Sequence, residues 1–266
     1  ASGQKFEDLN PMLMNAVSDT DVTNQVFYEL LALNPETMEP KPYVAKDWEY
    51  SEDMSEIVFH LNEGIEFHNG EKLTAEDVAF TFNWIINPEN GSPNASEFAW
   101  LKEVQIVDEY TVKFVVKEDS APYAPGLVAE TFAIVPKDTF LEMGREEFNQ
   151  NPVGSGPFEF VEWKKGDHIT LVKNEDYHVA GQPYLDEAYW HVIPDAASRV
   201  VAYETGTVDV LPGGAVDVFD VPRLIARDDT DYTTQGWEYF GPHQWLWINN
   251  RDAPMDDVRF RQALMY

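Results

Sequence analysis

The chain has 266 residues, 44% of them hydrophobic, so it is long enough to bury one large core or two smaller ones. Against 48 acidic residues it has only 18 Lys and Arg, and this net charge of −30 argues against nucleic acid as a partner, because phosphate binding needs basic side chains. The absence of cysteine excludes disulfides, thiolate metal sites and cysteine nucleophiles from this chain.

The acidic residues are spread along the whole sequence and do not form an acidic tail. At low salt such a charge repels itself, so the composition suggests a halophilic protein, although an ordinary acidic secreted protein would also gain solubility from it. No apolar run approaches the ~18 residues that cross a bilayer, and no basic stretch followed by an apolar one marks a signal peptide at the start. We therefore expect a chain from which any leader has been removed.

The first predicted element is a helix over 17–33. Asp19, Thr20 and Asp21 lie at its start and are suited to capping it. The helix is predicted from apolar residues at helical spacing, which are Val22, Val26, Leu30 and Leu33.

A hairpin turn and a second helix form the clearest local pattern. Asn69-Gly70 is a strong turn signal after a short apolar stretch. Thr74 precedes Asp77 by three residues, the spacing of a capping box, and a helix is predicted over 75–86.

The remaining periodic segments alternate between strand and helix patterns, which predicts a mixed α/β fold. Strands are predicted at 56–64, 103–107, 110–117, 132–135, 156–163, 169–173, 188–193, 208–211 and 245–249. Further helices are predicted at 137–144, 196–205 and 257–266, with Asp256 as the cap of the last one. Because no C-cap follows Tyr266, we expect the natural protein to continue beyond it.

The segment 64–82, Gly-Ile-Glu-Phe-His-Asn-Gly-Glu-Lys-Leu-Thr-Ala-Glu-Asp-Val-Ala-Phe-Thr-Phe, resembles the signature of the family 5 extracellular solute-binding proteins of ABC importers. That family includes dipeptide-, oligopeptide- and nickel-binding members. Three further blocks occur in the family's order, and four ordered blocks are more specific than one motif. They are 8–11 with 27–31, 152–158, and 249–264.

The resemblance implies an α/β, periplasmic-binding-protein-like type II two-lobed fold with an extra subdomain. Residues 1–42 and 153–240 would form the first lobe, and 43–152 would form the inserted subdomain. Residues 241–266 would cross over and start the second lobe, most of which we expect to be missing from this chain.

The function implied by the resemblance is the capture of an oligopeptide or dipeptide between the lobes and its delivery to the permease subunits of an ABC importer. The protein would be extracellular, cell-surface or periplasmic, with no cofactor and no enzymatic activity, and a lipid anchor would lie outside this chain. The solute stays open, since the family also carries sugars, opines and nickel complexes.

Two other classes of protein remain as alternatives, a secreted carboxylate-dependent hydrolase such as a glycosidase and a structural surface-layer protein. No spacing singles out a catalytic carboxylate pair. Gly154-Ser155-Gly156 is not a nucleophile elbow, because Pro152 stands in place of the first glycine. The six histidines show no metal-binding spacing on a helix.

Three groups of residues are candidates for contact with the solute. In the family the loop before the first helix faces the cleft, so Asp19, Thr20 and Asp21 are candidates to hold a ligand ammonium, or else they are simple caps. Phe98 and Trp100 resemble an aromatic cleft position, or else they are core residues. The third group lies in the stretch that resembles the lobe junction and has core packing as its alternative; it comprises Phe240, His243, Gln244 and Trp245.

Overall fold

The computed structural model describes residues 1–14, 16–34, 37, 39–118, 120, 132–234 and 248–264. Residues 1–230 form one compact unit, and residues 231–266 form a second, smaller one. No helix in these described ranges is long and apolar enough to cross a membrane.

The described part of the chain contains helices and strands in mixed order, with every strand pairing antiparallel. The helices are α1 Val17–Val26, α2 Ala75–Ile86, α3 Lys137–Gln150, α4 Ala196–Glu204, α5 Val221–Ile225 and α6 Val258–Ala263, with short 3-10 helices at Pro88–Asn90 and Pro93–Ser96. The strands are β1 Leu31–Leu33, β2 Pro40–Pro42, β3 Ala45–Tyr50, β4 Glu56–Leu61, β5 Leu101–Asp108, β6 Thr111–Val116, β7 Phe158–Lys164, β8 His168–Lys173 and β9 Glu187–His191.

A four-stranded sheet in the order β3-β4-β6-β5 packs against α2. Alternate residues of β4 are buried, as the period of a half-covered strand requires. The Phe114 ring on β6 lies 5.0 Å from that of Phe59 on β4 and 4.9 Å from that of Phe82 on α2. These aromatic contacts hold the helix on the inner face of the sheet.

The predicted capping box of α2 is confirmed. The Thr74 side chain accepts a hydrogen bond from the Glu76 amide, and the Asp77 carboxylate accepts one from the Thr74 amide at 2.9 Å. The other Asp77 oxygen accepts the Lys137 amide at 2.9 Å, which fixes the start of α3 beside the start of α2. One buried carboxylate therefore orders two helix starts.

The second sheet has three strands in the order β7-β8-β9. Ile169 and Leu171 of β8 are buried in the core, so the intervening residues of the strand face the other side. The chain's start lies along β9, where the Ser2 amide donates to the His191 carbonyl at 2.8 Å.

Most of the buried apolar side chains belong to one continuous cluster, which runs through α1, the four-stranded sheet, α2, α3, β7 and β8. Phe27, Phe59, Phe82 and Phe148 are fully buried members of this cluster. Residues 43–152, predicted as an inserted subdomain, therefore share their core with the residues on either side. The predicted domain boundaries themselves stay a prediction.

The prediction of one long helix over 17–33 was wrong beyond Val26. Phe27 is extended, and Leu31–Leu33 pairs with Pro40–Pro42. Residues 26–31 are buried without interruption, which suits an extended segment enclosed on all sides and not a one-sided helix. Ala16 is the N-cap, so Asp19, Thr20 and Asp21 lie within the helix and do not cap it.

Three other predictions need correction. Residues 132–135 make only an isolated bridge, between Ala133 and Glu29. Residues 208–211 are not a strand, since the Val208 amide instead closes the end of α4. Asp257, not Asp256, caps the last helix.

The predicted end of the helix 137–144 agrees with the structure. At Gly144 the backbone leaves the helical region, with a φ of 76° and a ψ of 164°, so α3 is kinked there. A second helical segment, which contains buried Phe148, follows the kink to Gln150.

Candidate functional site

Two of the predicted binding segments lie side by side in the structure. The Ser92 hydroxyl donates to the Met12 carbonyl at 2.6 Å, and the Asn94 side chain donates to the Met14 carbonyl at 3.1 Å. The segment that leads into α1 is therefore docked on the loop that leads to Phe98 and Trp100. We call the region formed by 11–14, 16–21 and 92–100 the junction.

Asp19 is almost completely buried on the inner side of α1. Its two carboxylate oxygens accept the amides of Glu7 at 2.9 Å and Asp8 at 3.2 Å. Burial raises the pKa of Asp19, and these two hydrogen bonds oppose the rise. The side chain thus ties the first residues of the chain to the helix.

The neighbours of Asp19 are placed differently. Thr20 is half-buried, and its hydroxyl donates to the Ala16 carbonyl at 3.3 Å. Asp21 is exposed on the helix, so of the three candidates it is the one most open to solvent.

Phe98 and Trp100 are both buried. The Phe98 ring packs against Phe132 at 4.4 Å and Phe82 at 5.3 Å, which makes it part of the core. It also contacts Trp100, with ring centroids 6.3 Å apart. The Trp100 side chain is 5% exposed, and its Nε1 has no hydrogen-bond partner among the described residues.

Buried polar atoms without a partner are rare, because each forfeits about 1–3 kcal/mol of hydrogen-bond energy. The described residues contain three, and two of them lie beside or within the junction: Asn10 Nδ2 and Trp100 Nε1. The third is Ser155 Oγ. Among the described residues, no acceptor is in place for either of these two donors.

Phe240, His243, Gln244 and Trp245 lie outside the described residues. The structure therefore joins the segments that precede two of the three predicted groups.

The sequence reasoning missed how the 152–158 block is held. A Cβ at Gly154 would overlap the Val26 carbonyl oxygen, and one at Gly156 would lie 2.6 Å from the Gln25 carbonyl oxygen. Only glycine lets this loop pack on the last turn of α1, where the Gly156 amide donates to Val26 at 2.8 Å. The sequence signal for this contact was the Gly-Ser-Gly spacing. It predicts that another part of the backbone packs closely against these glycines, but it does not predict which part.

His68, in the hairpin turn, contacts the same loop through both nitrogens of its ring. Its Nδ1 accepts the Gly154 amide at 3.3 Å, and its Nε2 lies 3.1 Å from the Gly156 carbonyl oxygen. Burial lowers the pKa of His68, which favours the neutral ring that this pattern needs, with a proton on Nε2. His68 therefore joins the hairpin to this loop through both ring nitrogens.

Tyrosine side chains connect residues 27–31, which belong to one of the blocks that resemble the family, with residues 174–177. The hydroxyls of Tyr28 and Tyr177 are hydrogen-bonded, and the Tyr43 ring lies edge-on to Tyr28 with centroids 3.8 Å apart. Burial raises the pKa of Tyr28 and of Tyr43, which keeps both phenols neutral. These residues serve the fold.

Within the described ranges, no group of three or more His, Asp or Glu side chains is arranged to hold a metal ion. The junction instead offers two exposed carboxylates, Asp21 and Glu97, and the N–H of the nearly buried Trp100 ring. Such a surface suits a small organic solute that carries acceptors.

Comparison with known proteins gives one consistent group of relatives. The chain is 28% identical to the heme-binding protein A of Haemophilus influenzae, over 96% of this chain and 49% of that protein. It is 29% identical to the dipeptide-binding protein of Escherichia coli, over 98% of this chain and 52% of that protein. The chain spans about half the length of the curated relatives it matches.

Solved structures agree with this grouping. The periplasmic binding protein DppA of Helicobacter pylori in complex with the peptide STSA matches with a TM-score of 0.75 and 26% identity, over 84% of this chain and 47% of that one. The binding protein MoaA of A. tumefaciens R10 in complex with mannopinic acid matches with a TM-score of 0.81 and 27% identity, over 98% and 52%. The fold is therefore that of the type II periplasmic binding proteins.

A family model, described as bacterial extracellular solute-binding proteins, family 5 Middle, matches residues 39–266. This range contains the signature segment 64–82 with the capping box of α2, and the glycine loop, as we call residues 152–158. The chain belongs to the bacterial extracellular solute-binding proteins of family 5.

Proposed function

We propose that the whole protein is the solute-binding component of an ABC importer, which captures a peptide-like solute outside the cytoplasm and passes it to the permease subunits. The observation that carries the proposal is the family match over 39–266. Peptide binding is favoured over other cargo because relatives from several bacteria are named for dipeptides, tripeptides or oligopeptides. The protein would act outside the cell, at its surface or in the periplasm.

We further propose that the junction forms part of the solute site. Trp100 Nε1 would donate to a carbonyl or carboxylate oxygen of the solute, since a peptide carries such an acceptor at every residue. Phe98 would support the Trp100 ring, and Asp21 and Thr20 would face the amino end of a peptide. Asp19 would act indirectly, by holding in place the backbone amides that donate hydrogen bonds to it. Phe240, His243, Gln244 and Trp245 also stay proposed as solute contacts.

Isothermal titration calorimetry of the full-length protein with dipeptides to tetrapeptides tests the function. We expect saturable binding, and mass spectrometry of the mixture should recover the peptide uncleaved. Binding of mannopinic acid or heme in place of every peptide would refute the peptide assignment while leaving transport intact. Release of cleaved peptide would refute the binding-protein role.

The substitution Trp100→Phe tests the junction separately. It keeps an aromatic ring but removes the N–H, so it should weaken peptide binding roughly fivefold, the value of one hydrogen bond of about 1 kcal/mol. Thermal stability should not fall through a lost hydrogen bond, because Nε1 has no partner among the described residues. Trp84→Phe, a change of the same kind on α2, is the control and should leave affinity unchanged. Equal affinities for all three proteins would remove Trp100 from the site.

A further inference from the structure

Two histidines lie side by side on neighbouring strands of the three-stranded sheet. His168 on β8 is paired in register with His191 on β9. The neighbouring pair, Asp167 with Val192, carries a ladder hydrogen bond of 2.7 Å from the Val192 amide to the Asp167 carbonyl. Because hydrogen-bonded and non-hydrogen-bonded pairs alternate, His168 and His191 form a non-hydrogen-bonded pair. In such a pair the two side chains stand closest together, with Cα atoms about 4.5 Å apart.

The two imidazole rings already have a spacing that suits a shared ion. Their centroids are 6.0 Å apart, with the planes inclined by 48°. A metal ion bound to imidazole lies about 2.0–2.1 Å from the nitrogen, so an ion between two rings holds their centroids at about 5–6 Å. Small side-chain rotations are enough to bring one nitrogen of each ring to the same ion.

Carboxylates surround His168 on both sides. Glu162 Oε1 lies 3.2 Å from Nε2, and Asp167 Oδ2 lies 3.4 Å from Nδ1. Histidine ligands commonly donate their second N–H to a carboxylate, which fixes the ring and makes the coordinating nitrogen more basic. Whichever nitrogen binds the ion, a carboxylate is in place for the other.

The cluster is open to ions from solvent, and the local charge permits a cation. The side chain of His168 is 19% exposed, and those of Glu162 and Asp167 beside it are 59% and 51% exposed. Lys164, opposite His168 on β7, brings a positive charge, but its ammonium is paired with Asp167 at 2.8 Å. The net charge of −30 also raises the cation concentration near the surface.

We propose that His168 and His191 form a two-histidine chelate for a single divalent transition-metal ion of the class that prefers imidazole, Cu²⁺, Ni²⁺ or Zn²⁺. No third protein ligand is in place among the described residues, so water completes the coordination. The site is separate from the junction and does not depend on the proposed transport function. By the usual order of affinities, Cu²⁺ binds more tightly than Ni²⁺ or Zn²⁺.

Calorimetric titration of the full-length protein with Cu²⁺ tests the proposal, in a non-chelating buffer with 0.2 M KCl to screen the surface carboxylates. The variants are His168→Asn, His191→Asn and the double variant. His60→Asn is the matched control, because His60 also lies on a strand beside a carboxylate, Asp47 at 3.8 Å, but is paired in register with Asp47 and Thr111. Thermal melting of each variant confirms that it is folded.

We expect one Cu²⁺ site whose affinity falls at least tenfold in either single variant and no further in the double variant. The His60→Asn control should bind like the unchanged protein. Electron paramagnetic resonance should show two imidazole nitrogens on Cu²⁺ in the unchanged protein and one in either variant. Affinity within twofold of the unchanged protein in either single variant, or an unchanged nitrogen count, would overturn the proposal.

Discussion

Gly154 is a residue at which the fold leaves no room for a side chain. A Cβ there would lie 2.7 Å from the Val26 carbonyl carbon and 3.0 Å from the Phe27 ring, and neither backbone nor buried ring can move away freely. Gly154→Ala should therefore cost about 2–4 kcal/mol of unfolding free energy, as overpacked core sites do. Urea unfolding of the purified chain measures this cost.

Gly64→Ala is the matched control for this change. Gly64 has a φ of +80° and open space around its Cβ position, so alanine there meets only backbone strain of about 1–2 kcal/mol. Equal losses for the two variants would show that the loop does not press on α1 as described.

His68 should make stability depend on pH. Because burial lowers its pKa in the folded state below the ordinary 6.5, the unfolded chain binds more protons as pH falls through 6.5. The stabilisation is complete above that value and declines below it, until the folded-state pKa is reached. In the His68→Gln variant this part of the decline in unfolding free energy disappears, although the Gln side chain keeps a hydrogen-bond donor and a hydrogen-bond acceptor.

Unfolding free energies of both proteins between pH 8 and pH 5 provide the measurement. Acidic residues titrate in both, so only the difference between the curves reports His68. His178, whose pKa burial also lowers, stays in both proteins and cancels. Two parallel curves would mean that His68 titrates alike in the folded and unfolded chain.

For single residues, the sequence could not predict the direction in which a side chain points. Asp19, Thr20 and Asp21 were recognisable as a polar group near a helix start, but the partners of Asp19 are two amides that lie 11 and 12 residues earlier. No local pattern predicts such a contact. The same holds for Phe98, whose position in the core depends on Phe132 and Phe82.

The start of α2 is the element whose energetics can be tested most directly. Thr74→Ala removes one side of the capping box and should cost about 1 kcal/mol. Asp77→Ala should cost more, about 2–4 kcal/mol, because it leaves two amides without their charged acceptor, one at each helix start.

Glu76→Ala is the control for these two variants, since Glu76 is in the same turn but exposed. It loses only a surface ion pair with Lys137, which should contribute less than about 1 kcal/mol. Chemical unfolding of the three variants ranks them. A loss for Asp77→Ala no larger than that for Glu76→Ala would contradict the shared role of the carboxylate.

Helix α2 was predictable to the residue, and α1 was not, for a physical reason. The boundaries of α2 are set within its own turn by Thr74, Asp77 and a one-sided apolar pattern. The end of α1 is set from outside, by the glycine loop on Val26 and by the pairing of Leu31–Leu33 with Pro40–Pro42. A local sequence pattern predicts where a helix begins and ends only when contacts within the helix itself set those boundaries.

The charge of the whole molecule predicts a strong response to salt. At 0.01 M salt the Debye length of about 30 Å spans the protein, and at 1 M it is about 3 Å, so repulsion among the 48 acidic residues is screened over that range. We expect the melting temperature to rise by roughly 5–10 °C between low and molar KCl. Scanning calorimetry measures it.

A variant with less charge separates screening from general salting-out. Four exposed acids, Glu52, Glu63, Glu142 and Glu146, can be replaced by Gln without touching the core. This variant should melt higher than the unchanged protein at low salt and respond less to KCl. A melting temperature that does not change with KCl would remove the halophilic interpretation of the composition.

The continuous core has a consequence for how the molecule comes apart. Since Phe82 and Phe59 share one apolar cluster with Phe27 and Leu171, opening the four-stranded sheet would strip contacts from α1 and from β8 as well. The described residues within 43–152 therefore do not form an independent core. Cleaving the backbone near 42 and 152 would yield three pieces that each lack part of this core, and none would be stable until the others were bound.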